Sequence, residues 1–180
     1  MERKDELRNK ALDYLQDHGL ADLSLRPLAD AIGSSARLLI YHFGSKEGLI
    51  TAVMQELHAR NQRSFTERMQ ERAGQGGLEA FWAWVVDEKN SRGVRLLFEV
   101  QVLALQNPAA YGHYLEGSSS SWLELIMQAL PPVPDKRTLA TLCAAVIDGL
   151  VLEYFSTGDL ERTSRALLLF VNMLKAGKTK

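Results

Sequence analysis

Arg37 carries the most informative chemistry in the sequence. It falls at the second position of a short helix predicted over residues 36–43, with Ser34-Ser35 before it and Gly44-Ser45 after it. A guanidinium projecting from that position can donate two parallel hydrogen bonds to guanine O6 and N7, worth about 1–3 kcal/mol of base discrimination. Its neighbours Ala36 and Leu38 are apolar and can touch only thymine methyl groups, which leaves Arg37 as the main polar reader. Lys46 lies in the first turn of the following helix, where its ammonium and the free backbone N–H groups suit one phosphate. Ser24 and Ser35 stand at helix starts, where a hydroxyl can cap the helix; at Ser24 it can instead meet a phosphate. Tyr41 and His42 are phosphate candidates by placement. One of the two is expected to pack inside, and helical phase leaves open which. Arg26 adds a further positive charge to the group.

These residues need a frame, and the segment SLRPLADAIGSSARLLIYHFGSKEGL supplies one. Ser24 is placed to cap a first helix, and Pro27 sits in its first turn, where N–H groups lack intrahelical partners. Leu25, Leu28, Ala29 and Ile32 form an apolar stripe. Gly33 occupies the position favoured for a left-handed residue after a helix. Two short helices around a glycine turn form the arrangement that sets one helix in the DNA major groove. An earlier helix over residues 3–18, closed by Gly19, carries Leu7, Ala11, Tyr14 and Leu15 on one face. It is expected to pack on Leu25, Leu28, Ile32, Leu39 and Phe43.

The run GSSARLLIYHFGSKEGLI resembles the recognition-helix signature of the TetR family of bacterial transcription regulators, with Leu39, His42, Phe43, Lys46 and Leu49 in register. The resemblance covers the first fifty residues or so; beyond them it rests on helix pattern and length. It implies an N-terminal DNA-binding domain over residues 1–47 and a ligand-binding and dimerisation domain over 48–180. It further implies a homodimer on a near-palindromic double-stranded operator, and a small-molecule effector. Ile40 stands where the family usually has a phosphate-binding Tyr, so that contact must come from Tyr41, His42 or elsewhere.

Bulk composition narrows the alternatives. Forty-six per cent hydrophobic residues suffice for a sizeable core, and a formal charge of −1 excludes a sequence-blind basic DNA coat. Residues 1–47 hold seven Lys/Arg against eight Asp/Glu, so DNA binding requires Arg26, Arg37, His42 and Lys46 to share a face from which the acids are turned away. The charged start MERKDELRNK is no secretory signal. No apolar run approaches the roughly 20 residues of a membrane span. The single Cys143 suits a reducing compartment, so the expected location is the cytoplasm, without a membrane partner. Catalytic, metal-binding and phosphate-loop spacings are absent, and neither enzyme activity nor a cofactor is expected.

Helical periodicity continues to the end, with helices expected over about 46–72, 78–90, 93–106, 108–129, 137–157 and 159–175. AGQGG at 73–77 reads as a flexible break, PPVP at 131–134 as a stiff connector, and the serines at 118–121 as a kink or a splitting loop. The fold class is therefore all-α, a three-helix helix-turn-helix domain followed by about six helices. Aromatic residues concentrate in the second part. An effector pocket, largely apolar, is expected to involve Trp82, Phe98, Gln101, Tyr111, Trp122 and Ile147. Glu99, Gln101, Asp148 and Glu153 interrupt apolar runs and need partners. The last two helices are apolar nearly all round, which suits burial on both sides. A dimer interface is expected through Leu139, Val146, Leu150, Tyr154, Leu167, Val171 and Leu174. The rival readings are a helical protein-binding adaptor that does not bind DNA and a small all-α enzyme.

Overall fold

The computed structural model describes residues 2–71, 76–130 and 132–176. They form nine helices, with no strand among the described residues: α1 Arg3–His18, α2 Leu25–Ala31, α3 Ala36–Phe43, α4 Lys46–Glu71, α5 Gly77–Val85, α6 Glu88–Gln106, α7 Pro108–Ala129, α8 Lys136–Thr157 and α9 Leu160–Ala176. Two compact units result. The first combines residues 1–63 with 92–118, the second 64–91 with 119–180. This packing division differs from the expected one at residue 47, because α6 and the start of α7 pack with the N-terminal helices.

The core of the first unit is continuous. Leu7, Ala11, Leu12 and Leu15 of α1 meet Leu28 and Ala29 of α2, Leu39 of α3, and Leu49, Val53, Met54 and Leu57 of α4. Leu96, Val100 and Ala104 of α6 and Tyr111 of α7 complete it, with Tyr14, Leu25, Leu38 and Phe43 packed at its edge. Gly93 lets α6 run close to its neighbours. A Cβ there would lie 3.1 Å from Leu57 Cδ1 and from Gln16 Nε2. Gly93 lies inside α6, where its missing side chain serves close approach.

The boundary between α5 and α6 accordingly falls at Val86-Asp87, not near residues 91–92 as expected. Asp87 sets it: its Oδ1 accepts the Lys89 N–H at 3.0 Å and its carbonyl those of Asn90 and Ser91 at 2.9 Å. The Asn90 amide closes α5 by donating to the Trp84 carbonyl at 2.9 Å. The serines at 118–121 neither end nor split α7, whose backbone stays helical through them. Most of the AGQGG break, and Pro131 of PPVP, lie outside the described residues.

In the second unit, Phe65, Phe81, Trp84 and Trp122 form an aromatic cluster with ring centroids 5.1–6.2 Å apart. The Trp84 indole N–H is satisfied by Ser64 Oγ at 3.0 Å. Ala140, Cys143, Ile147 and Val151 form the buried face of α8, and Thr163, Leu167 and Val171 that of α9. Contrary to expectation, α8 is long and apolar enough to cross a membrane by length and composition alone. Asp148 and Glu153 interrupt it, and its opposite face carries exposed Leu142 and Leu152.

Candidate DNA interface and effector cavity

The turn between α2 and α3 follows from three residues. The Ser34 N–H donates to the Ala29 carbonyl at 2.8 Å and the Gly33 N–H to that of Asp30 at 3.3 Å. Gly33 has φ +67°, so this is a left-handed helix end of the Schellman type. Ser35 Oγ accepts the Leu38 N–H at 3.2 Å and caps α3, while Ser45 Oγ accepts that of Gly48 at 3.0 Å and caps α4. Ser24 occupies the cap position of α2 with extended backbone, but its hydroxyl makes no cap hydrogen bond. The expected capping role is thus not fulfilled.

These caps fix the phase of α3. Leu39 is fully buried, and Leu38 and Phe43 pack against the core. The outward face consists of Arg37, Ile40 and Tyr41, at positions i, i+3 and i+4. Tyr41 is 80% exposed and Ile40 40% exposed. The open choice between Tyr41 and His42 is thereby resolved: His42 is half-buried, with its ring edge-on to Tyr41 at 5.1 Å and to Phe43 at 6.4 Å. Leu38, expected beside Arg37 as an apolar reader, turns inward instead, because it is one residue out of phase with that face. Ile40 stands on that face instead. The spacing from Arg37 was the available signal for it. Ala36 is half-buried; Ser35, Ser24 and Arg26 are exposed.

Lys46 is also engaged. Its half-buried ammonium donates to the backbone carbonyl of Leu23 in the α1–α2 loop. A Lys ammonium has two further donors, so this bond leaves capacity for another partner.

Ion pairing accounts for much of the domain's acidity. Asp5 pairs with Arg8 at 3.1 Å, Glu6 with Arg3 at 2.6 Å and Lys10 at 2.9 Å, Asp13 with Arg60 at 3.3 Å, and Asp17 with Arg92 at 2.7 Å. Arg26 and Arg37 form no ion pair among the described residues. Asp30 and Glu47 are exposed. The positive side chains of the helix-turn-helix are thus available although the domain is near neutral.

The second unit contains a cavity of about 190 Å³. Phe65, Leu78, Phe81, Leu125, Ile126, Leu130, Ile147 and Leu174 line it, and the Lys175 ammonium meets Glu79 Oε1 at 3.2 Å on its wall. Of the six expected pocket residues, Ile147 alone lines it. Trp122 stands behind the wall, against Phe65 and Phe81. Trp82 is buried with its indole N–H on Ser164 Oγ at 2.9 Å. Phe98, Gln101 and Tyr111 belong to the first unit, where Tyr111 is core, Phe98 half-buried and Gln101 exposed. An aromatic-rich helix does not disclose which of its apolar faces turns into a void.

Of the residues expected at a dimer interface, some are buried within the single chain. Leu167 and Val171 are only 2% and 4% exposed in the single chain, turned into its own core. The unpaired apolar surface comprises Leu142, Ala145, Gly149 and Leu152 of α8 with Leu168, Leu169 and Met173 of α9; Leu169 and Met173 are each 64% exposed. Leu139, Val146, Leu150, Tyr154 and Leu174 are half-buried at the margin.

A capped helix-turn-helix with an outward arginine and tyrosine, in a chain with a second helical unit holding its own cavity, defines a helix-turn-helix transcriptional regulator. Residues 7–53 match the family model of bacterial regulatory proteins, tetR family. The match takes in the whole helix-turn-helix of α2 and α3 and the first turns of α4. It is 25% identical over 158 residues to the transcriptional regulator BetI of Stenotrophomonas maltophilia, covering 83% of this chain and 80% of that protein. It is 49% identical to the regulatory protein RaaS of Mycobacterium tuberculosis over 43 residues, 24% of this chain and 20% of RaaS; this chain thus matches about a fifth of that relative's length. In fold it is similar to a transcriptional regulator from Rhodococcus sp. RHA1, with a TM-score of 0.82 at 23% identity over 98% of this chain and 97% of that one. The multidrug binding protein EbrR, complexed with ethidium, superimposes with a TM-score of 0.71 at 22% identity over 93% of this chain and 97% of its own.

Proposed function

We propose that this chain is a cytoplasmic repressor that binds a near-palindromic operator as a homodimer and is released by a small, largely apolar molecule. The observation that carries this reading is the outward face of α3, with Arg37, Ile40 and Tyr41 set on a core that buries Leu39. Arg37 reads guanine. Tyr41 takes over the phosphate contact that Ile40 cannot make, since a phenol donates and an alkyl group does not. Arg26, Ser24, Ser35 and Lys46 hold the backbone on either side of the groove. Function divides the chain near residue 47 although packing does not: residues 1–47 read DNA, and 48–180 bind the effector and the second subunit.

Two copies join through the exposed faces of α8 and α9, and their recognition helices enter successive major grooves about one turn apart. The effector occupies the cavity lined by Phe65, Phe81 and Ile147, where the Glu79–Lys175 pair offers a charged group to an otherwise apolar ligand. EbrR, a multidrug binder of the same fold, supports an effector of this kind. Binding shifts α4 and the spacing of the two readers. By linkage, DNA opposes the effector by the same factor.

The test is selection of bound fragments from genomic DNA, scored by gel shift at fixed salt with wild type and Arg37→Ala in parallel. Recovery of a near-palindrome that the variant fails to hold supports the reading. Recovery of nothing above background sinks it and favours a protein-binding adaptor.

A further inference from the structure

The α1–α2 loop joins the helix that anchors the N-terminal core to the pair of helices proposed to read DNA. Glu99, on α6, reaches this loop. Its Oε2 accepts the Leu20 N–H at 2.6 Å. A separate observation shows the loop built around the carboxylate. Gly19 has φ +74°, and a Cβ there would stand 2.9 Å from Glu99 Oε2 and 3.1 Å from Oε1. A left-handed backbone and a missing side chain together admit the carboxylate at that point. Glu99 also breaks the apolar run VRLLFEVQVLAL between buried Leu96 and Val100, a position where a charge is costly unless it is paired.

We propose that Glu99 is a positioning residue for DNA recognition: its carboxylate holds the α1–α2 loop against α6 and thereby fixes the orientation of the helix-turn-helix. This rests on the DNA-reading function proposed above. The bond is charge-assisted and half-buried, which makes it stronger than an ordinary hydrogen bond. Arg92 and Asp17, 2.7 Å apart, also link α6 to α1, but both are well exposed, and such pairs contribute little. Arg92→Ala is therefore the control.

The experiment uses full-length protein and two readouts: amide hydrogen exchange at Leu20 without DNA, and affinity for the fragments that wild type selects. In Glu99→Ala, Leu20 exchange should accelerate by about tenfold or more, and affinity should fall by about as much, with Leu12 and Leu15 amides still protected. Glu99→Gln, which keeps an acceptor, should fall between, and Arg92→Ala should match wild type. Unchanged Leu20 exchange in Glu99→Ala overturns the clamp. Faster exchange with full affinity overturns the positioning role. If Glu99→Ala exposes the whole core, Glu99→Gln decides: wild-type behaviour in both readouts overturns the proposal, and a partial loss in both supports it. If wild type selects no DNA, the DNA-reading function fails and the positioning role falls with it, while Leu20 exchange still scores the clamp.

Discussion

The ammonium of Lys46, in the first turn of α4, donates to the backbone carbonyl of Leu23 in the α1–α2 loop. Removing it should therefore act twice. Lys46→Ala should lower the melting temperature, because a half-buried carbonyl loses its donor, at a cost of about 1–3 kcal/mol. It should also weaken binding to all DNA sequences about evenly and reduce the salt slope by about one if a second donor reaches phosphate. Melting and gel-shift titrations over a salt series separate the two effects. A melting shift with an unchanged slope would assign Lys46 to the loop alone.

Arg37→Ala should leave stability near wild type, since the side chain is exposed and forms no ion pair among the described residues. Specific binding should fall by about 1–3 kcal/mol, while binding to random duplex changes little. Competition gel shifts measure the ratio. An equal loss on both would make Arg37 a phosphate contact.

Local and long-range features differ in how far they can be read from sequence. Gly33, Ser35 and Gly44 each act within a few residues, and their roles around α3 follow from residue type. The bonds from Lys46 to Leu23 and from Glu99 to Leu20 join residues 23 and 79 positions apart, and no local pattern marks them. In α9, Leu167, Leu168, Leu169, Phe170 and Val171 are consecutive and apolar, so the pattern lacks a polar side from which to take the phase. Expecting Leu167 and Val171 on the outer face, rather than Leu169 and Met173, follows from that ambiguity. The role of Gly93 is equally non-local: it depends on Leu57 and Gln16, which only the packing brings near.

Gly149 lies on the exposed apolar face of α8, and a Cβ there meets nothing within 4 Å. Gly149→Ala should then raise the stability of the single chain by about 1 kcal/mol through helix propensity. If two copies cross closely at this point, the same methyl group should weaken the dimer. Thermal melting and sedimentation equilibrium on one sample give both signs. A variant that gains stability and dimerises as wild type would move the crossing point away from Gly149.

Asp148 shares that face with Leu142, Ala145, Gly149 and Leu152. It is exposed in the single chain, yet the desolvating surface around it raises its carboxyl above the ordinary 3.8. In the unfolded chain the group titrates at the ordinary value, so below 3.8 both states are protonated and Asp148 carries no penalty. As pH rises from there through the raised value, the unfolded chain loses its proton first and stability falls. The penalty is complete above the folded-state value. A partner seated on this face would deepen the desolvation and raise the carboxyl further, so dimerisation should weaken as pH rises from the single chain's raised value through the dimer's higher one. Asp148→Asn should remove this component of the pH dependence and tighten the dimer near neutral pH. Sedimentation equilibrium over a pH series with wild type and Asp148→Asn checks it. A weaker dimer in the variant would mean instead that a cation on the second subunit pairs with the carboxylate.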